Sequence, residues 1–319
     1  MVFGRIAVAA ALLVLAGPPA VAQEPPFPHK GPIEITVLFP AGSSADVTAR
    51  MLADGMGKAL GANVVVVNRP GAGGAIGYRY TAAQKPDGYA LVWNSNSIST
   101  TFHSGMLAFN YEAFDPVARV LVETPMLAVR ADSRWKTLAD MIAEAKAKPR
   151  TINVANSGTG SHTHISSVAL FKTAGVEAVD VPFGAAQVVT SLLGGQVDAA
   201  MQLPAALSEH VKAGKARFLA ALIPARDPAF PDVPTARESG VDVSLEAWRG
   251  IAVPHGTPQP VIAALEAAIL KTVESPEFKS GCEKIGARPA FADAQSFGRT
   301  IAAEDAELAK LMVVMGMKK

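Results

Sequence analysis

The chain has 319 residues, 29 of them Lys or Arg and 28 Asp or Glu, for a formal net charge of +1 with 18% charged residues. That balance, with no run of basic residues, excludes the electrostatic footprint of a nucleic-acid binder and the polybasic patch of a membrane-surface protein. A single cysteine, Cys282, excludes an internal disulfide; with no CxxC pairing to lower its pKa, it reads as a small buried hydrophobe.

The chain opens with Arg5, an apolar run from Ile6 to Ala16, then Pro18, Pro19 and Ala20-Val21-Ala22. This is the pattern of a secretory signal over 1–22 with an A-x-A site, and its apolar run is short for a bilayer span. Export to the periplasm and cleavage after Ala22 are therefore expected. The remainder is long for one hydrophobic core and predicts two lobes.

Ile33 to Phe39 predicts a buried strand that ends at Pro40 and the small-residue loop Ala41-Gly42-Ser43-Ser44. A helix follows, because Ala45, Ala49, Leu52, Ala53, Met56 and Leu60 fall on one stripe, and Gly61 ends it. Val64 to Val67 predicts a second strand, followed by the turn Asn68 to Gly74, a short helix and a third strand, Ala90 to Asn94. The same grammar restarts at Thr151, with a strand over Ile152 to Ala155, a loop, and a helix over Ile165 to Thr173. Strands at Val179 to Pro182, Val197 to Met201 and Ala216 to Ile223 follow, with a helix over Ala186 to Leu193. Helices from Thr257-Pro258 to Glu274, over Pro276 to Ile285 and over Ala294 to Met315 close the chain. Strands alternating with helices predict α/β lobes built on parallel sheets.

The stretch Asn153 to His164, NVANSGTGSHTH, carries the densest chemistry. A serine hydrolase would use Ser161 with His164, yet neither Ser157 nor Ser161 sits in G-x-S-x-G, and a serine three residues before a histidine is equally a helix cap. A metal clip would use His162 and His164, but residues two apart on a helix point about 200° away from each other. His164 reads as packed, since Val168 and Phe171 share its stripe; His162 stays undecided. The third reading uses the backbone: Gly158 and Gly160 let the chain curl close to a ligand, and the helix N-terminus favours an anion. Pro40 to Ala45 repeats this device. Two such loops, one per lobe, would face each other across a cleft. Gly71 to Gly77 fails as a dinucleotide motif, because Ile76 stands where the last glycine of GxGxxG belongs, and Arg69 beside it reads as structural.

An ordered set of motifs resembles the Bug (TctC-like) extracytoplasmic receptors of tripartite tricarboxylate transporters. It comprises PAGSSADVTAR from Pro40, NRPGAGGAIG from Asn68, PDGYAL from Pro86, SGTGSHTH from Ser157, VPF from Val181, LLGGQVD from Leu192 and GTP from Gly256. The resemblance spans essentially the whole mature chain. It implies an α/β, two-lobed periplasmic binding fold of the Venus-flytrap type II, with two crossover strands as hinge. One lobe would take 23–122 plus 246–319 and the other 123–245, with the terminal helices returning to the first. It implies a small carboxylate held by Gly42, Ser43, Ser44, Ala45 and Asp46 on one side and Ser157, Gly158, Thr159, Gly160, Ser161 and His162 on the other, with Phe183 at the pocket edge. Asp46 would cap backbone N–H groups or orient a water. The resemblance further implies no catalysis, cofactor or metal, a monomer, and delivery of the ligand to membrane transporter subunits. Where relatives commonly carry a second glycine, a tyrosine and a lysine, this chain has Ser43, Phe183 and Gly184, and Arg249 would either meet a carboxylate or pair with an acid near the hinge. An exported hydrolase using Ser161 and His164, or a receptor reporting to a signalling partner, are the alternatives.

Overall fold

The computed structural model describes residues 27–317, so the expected export signal over 1–22 and its cleavage site after Ala22 lie outside the described residues. Strands β1 (Ile33–Val37), β2 (Val64–Asn68) and β3 (Ala90–Ser95) pair in parallel, linked by helices α1 (Ser44–Leu60) and α2 (Ala75–Ala82). Parallel neighbours need such crossovers. Helix α3 (Ser97–His103) follows, and β4 (Phe114–Glu123) then runs through Thr124-Pro125 into β5 (Met126–Arg130).

From β5 the chain builds a second sheet through α4 (Leu138–Ala147), β6 (Asn153–Asn156), α5 (His162–Thr173), β7 (Val179–Pro182), α6 (Ala185–Leu193), β8 (Ala199–Gln202), α7 (Pro204–Lys212) and β9 (Ala216–Ala221). It returns through β10 (Ala247–Pro254) to α8 (Gln259–Glu274), α9 (Pro276–Ile285), β11 (Arg288–Ala292) and α10 (Ala294–Val314). The first sheet has the order β11-β4-β10-β3-β1-β2, the second β7-β6-β8-β5-β9.

Neither sheet is purely parallel, which departs from the sequence expectation. Strand β10 runs antiparallel to both β3 and β4, and β5 antiparallel to both β8 and β9. The cause is the crossover: β4 leaves the first sheet and β10 returns beside it, with Ala247 opposite Glu123, so the outgoing and incoming strands oppose each other. Periodicity left β4 unassigned because Asp115 and Pro116 interrupt it. The sheet accommodates Pro116 at a register shift between Ile251 and Ala252.

Helices cover both faces of each sheet. The core of the first includes Trp93, Leu52, Ile269 and Phe297, all buried completely, each side chain contributing about 2–3 kcal/mol. Helix α8 packs on α1 and β4, and α10 on β4 and α3. Helix α10 also crosses to the second sheet's layer, where Leu308, Met312 and Met315 meet Ile165 and Ala169 of α5. Cys282 is buried, and burial, reinforced by the Glu123 charge, pushes its thiol up to about 12, which suits a packing role.

Candidate functional site

Strands β1, β3, β6 and β8 each end at a turn that opens a helix, and these junctions converge on one narrow cavity of about 20 Å³ between the two sheets. Ligands of open α/β sheets bind at such carboxyl-terminal strand ends.

At the first junction Ser43 is the N-cap of α1, its hydroxyl accepting the Asp46 N–H at 3.3 Å. Gly42, at φ +78°, donates its N–H to Asp46 Oδ2 at 3.0 Å. Asp46 Oδ1 accepts from Arg50 Nε at 3.0 Å and Asn68 Nδ2 at 2.9 Å. Burial acts to raise this carboxyl, but the bonds from Arg50, Gly42 and Asn68 outweigh it and hold it below the usual carboxylate range. Asp46 thus ties the loop down. The first helical turn then leaves the N–H groups of Ser44 and Ala45 without a hydrogen bond among the described residues, and both residues line the cavity.

The second junction repeats the plan with neutral partners. Helix α5 begins three residues earlier than its periodicity predicts, with Ser161 as N-cap accepting the His164 N–H at 3.2 Å. Three of the loop's own donors are engaged: Ser157 N–H to Thr163 Oγ1 at 3.0 Å, Gly158 N–H to Asn156 Oδ1 at 3.1 Å and Gly160 N–H to His164 Nδ1 at 3.1 Å. On the cavity wall, the N–H groups of His162 and Thr163 remain open, with no hydrogen bond among the described residues. His162 is buried, and desolvation, aided by the Arg249 charge, pushes its pKa down to about 3, so its ring is neutral.

Of the residues singled out from sequence, Ser43, Ser44, Ala45, Ser157, Ser161 and His162 stand on the cavity wall. Gly42, Asp46, Gly158, Thr159 and Gly160 stand behind it and shape the turns, and the engaged N–H groups of Gly42, Gly158 and Gly160 are not the open donors. Phe183 lines a neighbouring hollow of about 200 Å³ with Pro40, Pro70 and Gly158. His164 is only half-buried; its ring serves Gly160 rather than Ser161, whose hydroxyl is a cap, so the pair lacks the contact a nucleophile needs. Among the described residues no cluster of His, Cys, Asp or Glu is built to hold a metal ion.

Sequence reasoning missed Ser95, Ser97 and Gln202 on the wall. The signal was present: Asn94-Ser95-Asn96-Ser97 is a third run of small polar residues at a strand end. Ser97 is buried, and among the described residues its hydroxyl has no partner. Arg249 also lines the wall, with Nε directed to Glu123 Oε2 at 3.4 Å; both side chains are buried, and the Ser44 hydroxyl bonds the other Glu123 oxygen. The bland expectation for Arg249, a pair with an acid near the hinge, and its exposure to the cavity hold together.

The two halves meet tightly around this cavity. Thr100 Oγ1 donates to Gly160 O at 2.5 Å, and a Cβ on Gly73 would stand 2.7 Å from Thr159 O, so only glycine fits there.

Two sheets joined by paired crossover strands, with donors from both facing one cavity, define a two-lobed solute-binding receptor. The particular family follows: residues 48–317 match the tripartite tricarboxylate transporter family receptor (TctC) profile, and the chain belongs to that family. It is similar to the periplasmic binding protein BugD, with 28% identity, a TM-score of 0.86 and coverage of 91% of this chain and 99% of that one. The Rpa4515 structure from R. palustris with adipate is 27% identical at a TM-score of 0.86, covering 91% of this chain and 98% of that one. MatC from Rhodopseudomonas palustris with bound malate is 27% identical at 0.82, covering 89% and 99%. These are solute-binding receptors, not enzymes, and no described helix is long and apolar enough to cross a membrane.

Proposed function

We propose that the protein is a periplasmic receptor that captures a small carboxylate between two lobes, 23–122 plus 246–319 and 123–245, and delivers it to a tripartite tricarboxylate-type transporter. The observation that carries this reading is the pair of helix N-termini, one from each sheet's layer, that turn open N–H groups at Ser44, Ala45, His162 and Thr163 into one cavity. Each N-terminus offers about half a positive charge and bare donors, which suits one carboxylate held between them. Adipate and malate in the two neighbours are of this ligand class. Closure brings the two donor sets together, so the liganded form differs in shape from the open one and a transporter can tell them apart.

The test is a thermal-shift and calorimetric screen of purified protein against small mono- and dicarboxylates, adipate and malate included. A ligand at a hundred times its Kd adds about 2.7 kcal/mol of stability. The expected result is stabilisation by at least one acid, with no hydrolysis of activated esters. A flat response across the panel, or ester hydrolysis abolished by Ser161→Ala, would overturn the reading.

A further inference from the structure

The open N–H groups account for a carboxylate and leave unexplained two side chains on the cavity wall that are set to accept. Ser44 is the first. Its hydroxyl bonds Glu123, and an ion-paired carboxylate facing Arg249 has no proton to give, so Ser44 is the donor. With its one proton fixed there, the Ser44 oxygen offers lone pairs to whatever else reaches it. His162 is the second. The Ser166 hydroxyl donates to the His162 carbonyl at 2.9 Å, so toward the ring it can only accept. His162 Nδ1, 3.4 Å from that hydroxyl, is then assigned the proton, and Nε2 is left as an acceptor.

Both residues hold the same position in their helices, the first after the cap, and each carries an open backbone N–H. A ligand with a carboxylate oxygen on the Ser44 N–H therefore brings its next carbon within reach of the Ser44 oxygen. A plain carboxylate would leave that buried acceptor unpaired, at a cost in binding. The group that fits is a donor on the carbon beside the carboxylate. An ammonium would also donate, but two helix N-termini share this cavity and repel it, while the Arg249 charge is already taken up by Glu123. A neutral hydroxyl meets no such penalty.

Resting on the reading of the cavity as a carboxylate site, we propose that the solute is a 2-hydroxycarboxylate. Its carboxylate lies on the helix N-termini, its hydroxyl donates to Ser44, and Glu123 is the positioning residue that turns the Ser44 lone pairs toward it. The substrate class is thereby set by a side chain whose only visible bond points away from the ligand.

Calorimetric affinities for matched pairs test this: glycolate against acetate, lactate against propionate, malate against succinate, with alanine and aspartate as ammonium counterparts. In every pair that binds, the hydroxy acid is expected to be tighter by about tenfold, the weight of one hydrogen bond, and the amino acid weaker. Ser44→Ala removes the accepting oxygen, so whatever its affinity for either acid, the ratio between hydroxy acid and deoxy acid should fall to within about twofold. Equal affinities within the wild-type pairs overturn the proposal, even if Ser44→Ala does not fold; so does a preference that survives in a folded Ser44→Ala protein, or tighter binding of the amino acids. No acid binding at all sinks the underlying carboxylate reading, whereas binding without preference sinks this inference alone.

Discussion

The two helix starts that frame the cavity end in the same geometry, a serine cap followed by two open N–H groups, but they reach it with different chemistry. Around α1 the turn is tied by charge: the Asp46 carboxylate gathers Gly42, Arg50 and Asn68, and the buried Glu123–Arg249 pair stands behind Ser44. Around α5 the turn is tied by neutral groups: Thr163, Asn156 and the His164 ring hold Ser157, Gly158 and Gly160. An anion site needs the donors, and the fold can satisfy the remaining loop groups in more than one way. The difference predicts unequal sensitivity to mutation and to acid.

The largest effect is expected at the charged junction. In Asp46→Ala, Gly42 loses its acceptor, Asn68 is left with only the Phe39 carbonyl and Arg50 with only the Asn68 Oδ1, in a site where Asp46 is only 5% exposed. Loss of several bonds to one buried charge should destabilise the protein by about 3 kcal/mol, read as a lower urea midpoint, and ligand affinity should fall with the order of the loop. A change below about 1 kcal/mol would mean that the charged network decorates the junction rather than holds it.

This asymmetry was only partly legible in the sequence. Local signals worked: the stripe from Ala45 to Leu60 and the glycine after it give α1, and small residues after apolar runs mark both junctions. The atoms that do the binding were misplaced, because φ angles and side-chain caps decide which N–H groups stay open, and neither is written in composition. The N–H groups of Gly158 and Gly160 looked open and are engaged by Asn156 and His164. Glu123 could not be assigned to Arg249 because 126 residues separate them, and only the crossover of β4 and β10 brings them together. Pro116 hid β4, the strand that makes that crossover, since a proline demotes a strand by local rules. Local periodicity thus located the site, while long-range pairing determined its charge.

A smaller effect, and one of opposite character, is expected from acid at the neutral junction. His162 has its pKa pushed down to about 3 by burial, against about 6.5 in an unfolded chain. Below pH 6.5 the unfolded state binds a proton that the folded state refuses. Stability contributed by the neutral ring is thus complete above pH 6.5 and drains away as pH falls from there toward 3, at about 1 kcal/mol per pH unit. The Asp46 carboxyl is depressed instead, so its contribution is complete above its unfolded value of about 3.9 and is lost only below that. Between pH 6.5 and 5 the loss should come from the α5 side, amounting to about 2 kcal/mol. Urea unfolding at stepped pH measures it, and His162→Asn should flatten the slope. An unchanged slope in that variant would place the acid sensitivity elsewhere.

The smallest expected effect falls on the neutral tie itself. Gly160 is held at φ +78° with its N–H on His164 Nδ1, and a Cβ there would stand 3.1 Å from Met106 Sδ. His164→Ala keeps the glycine and removes its acceptor, along with the ring's interaction with Asp180, so the buried donor is left bare while the Ser161 cap still accepts the residue 164 N–H. One unsatisfied neutral donor costs about 1 kcal/mol, roughly a third of what Asp46→Ala should cost for the equivalent turn. Comparing the two variants in one denaturant series isolates what charge adds to a junction of the same shape. If His164→Ala proved as damaging as Asp46→Ala, the loop at α5 would depend on the ring for more than one hydrogen bond. The interaction of the ring with Asp180, or the contact of that loop with Thr100 and Gly73 across the cavity, is where the additional dependence would lie.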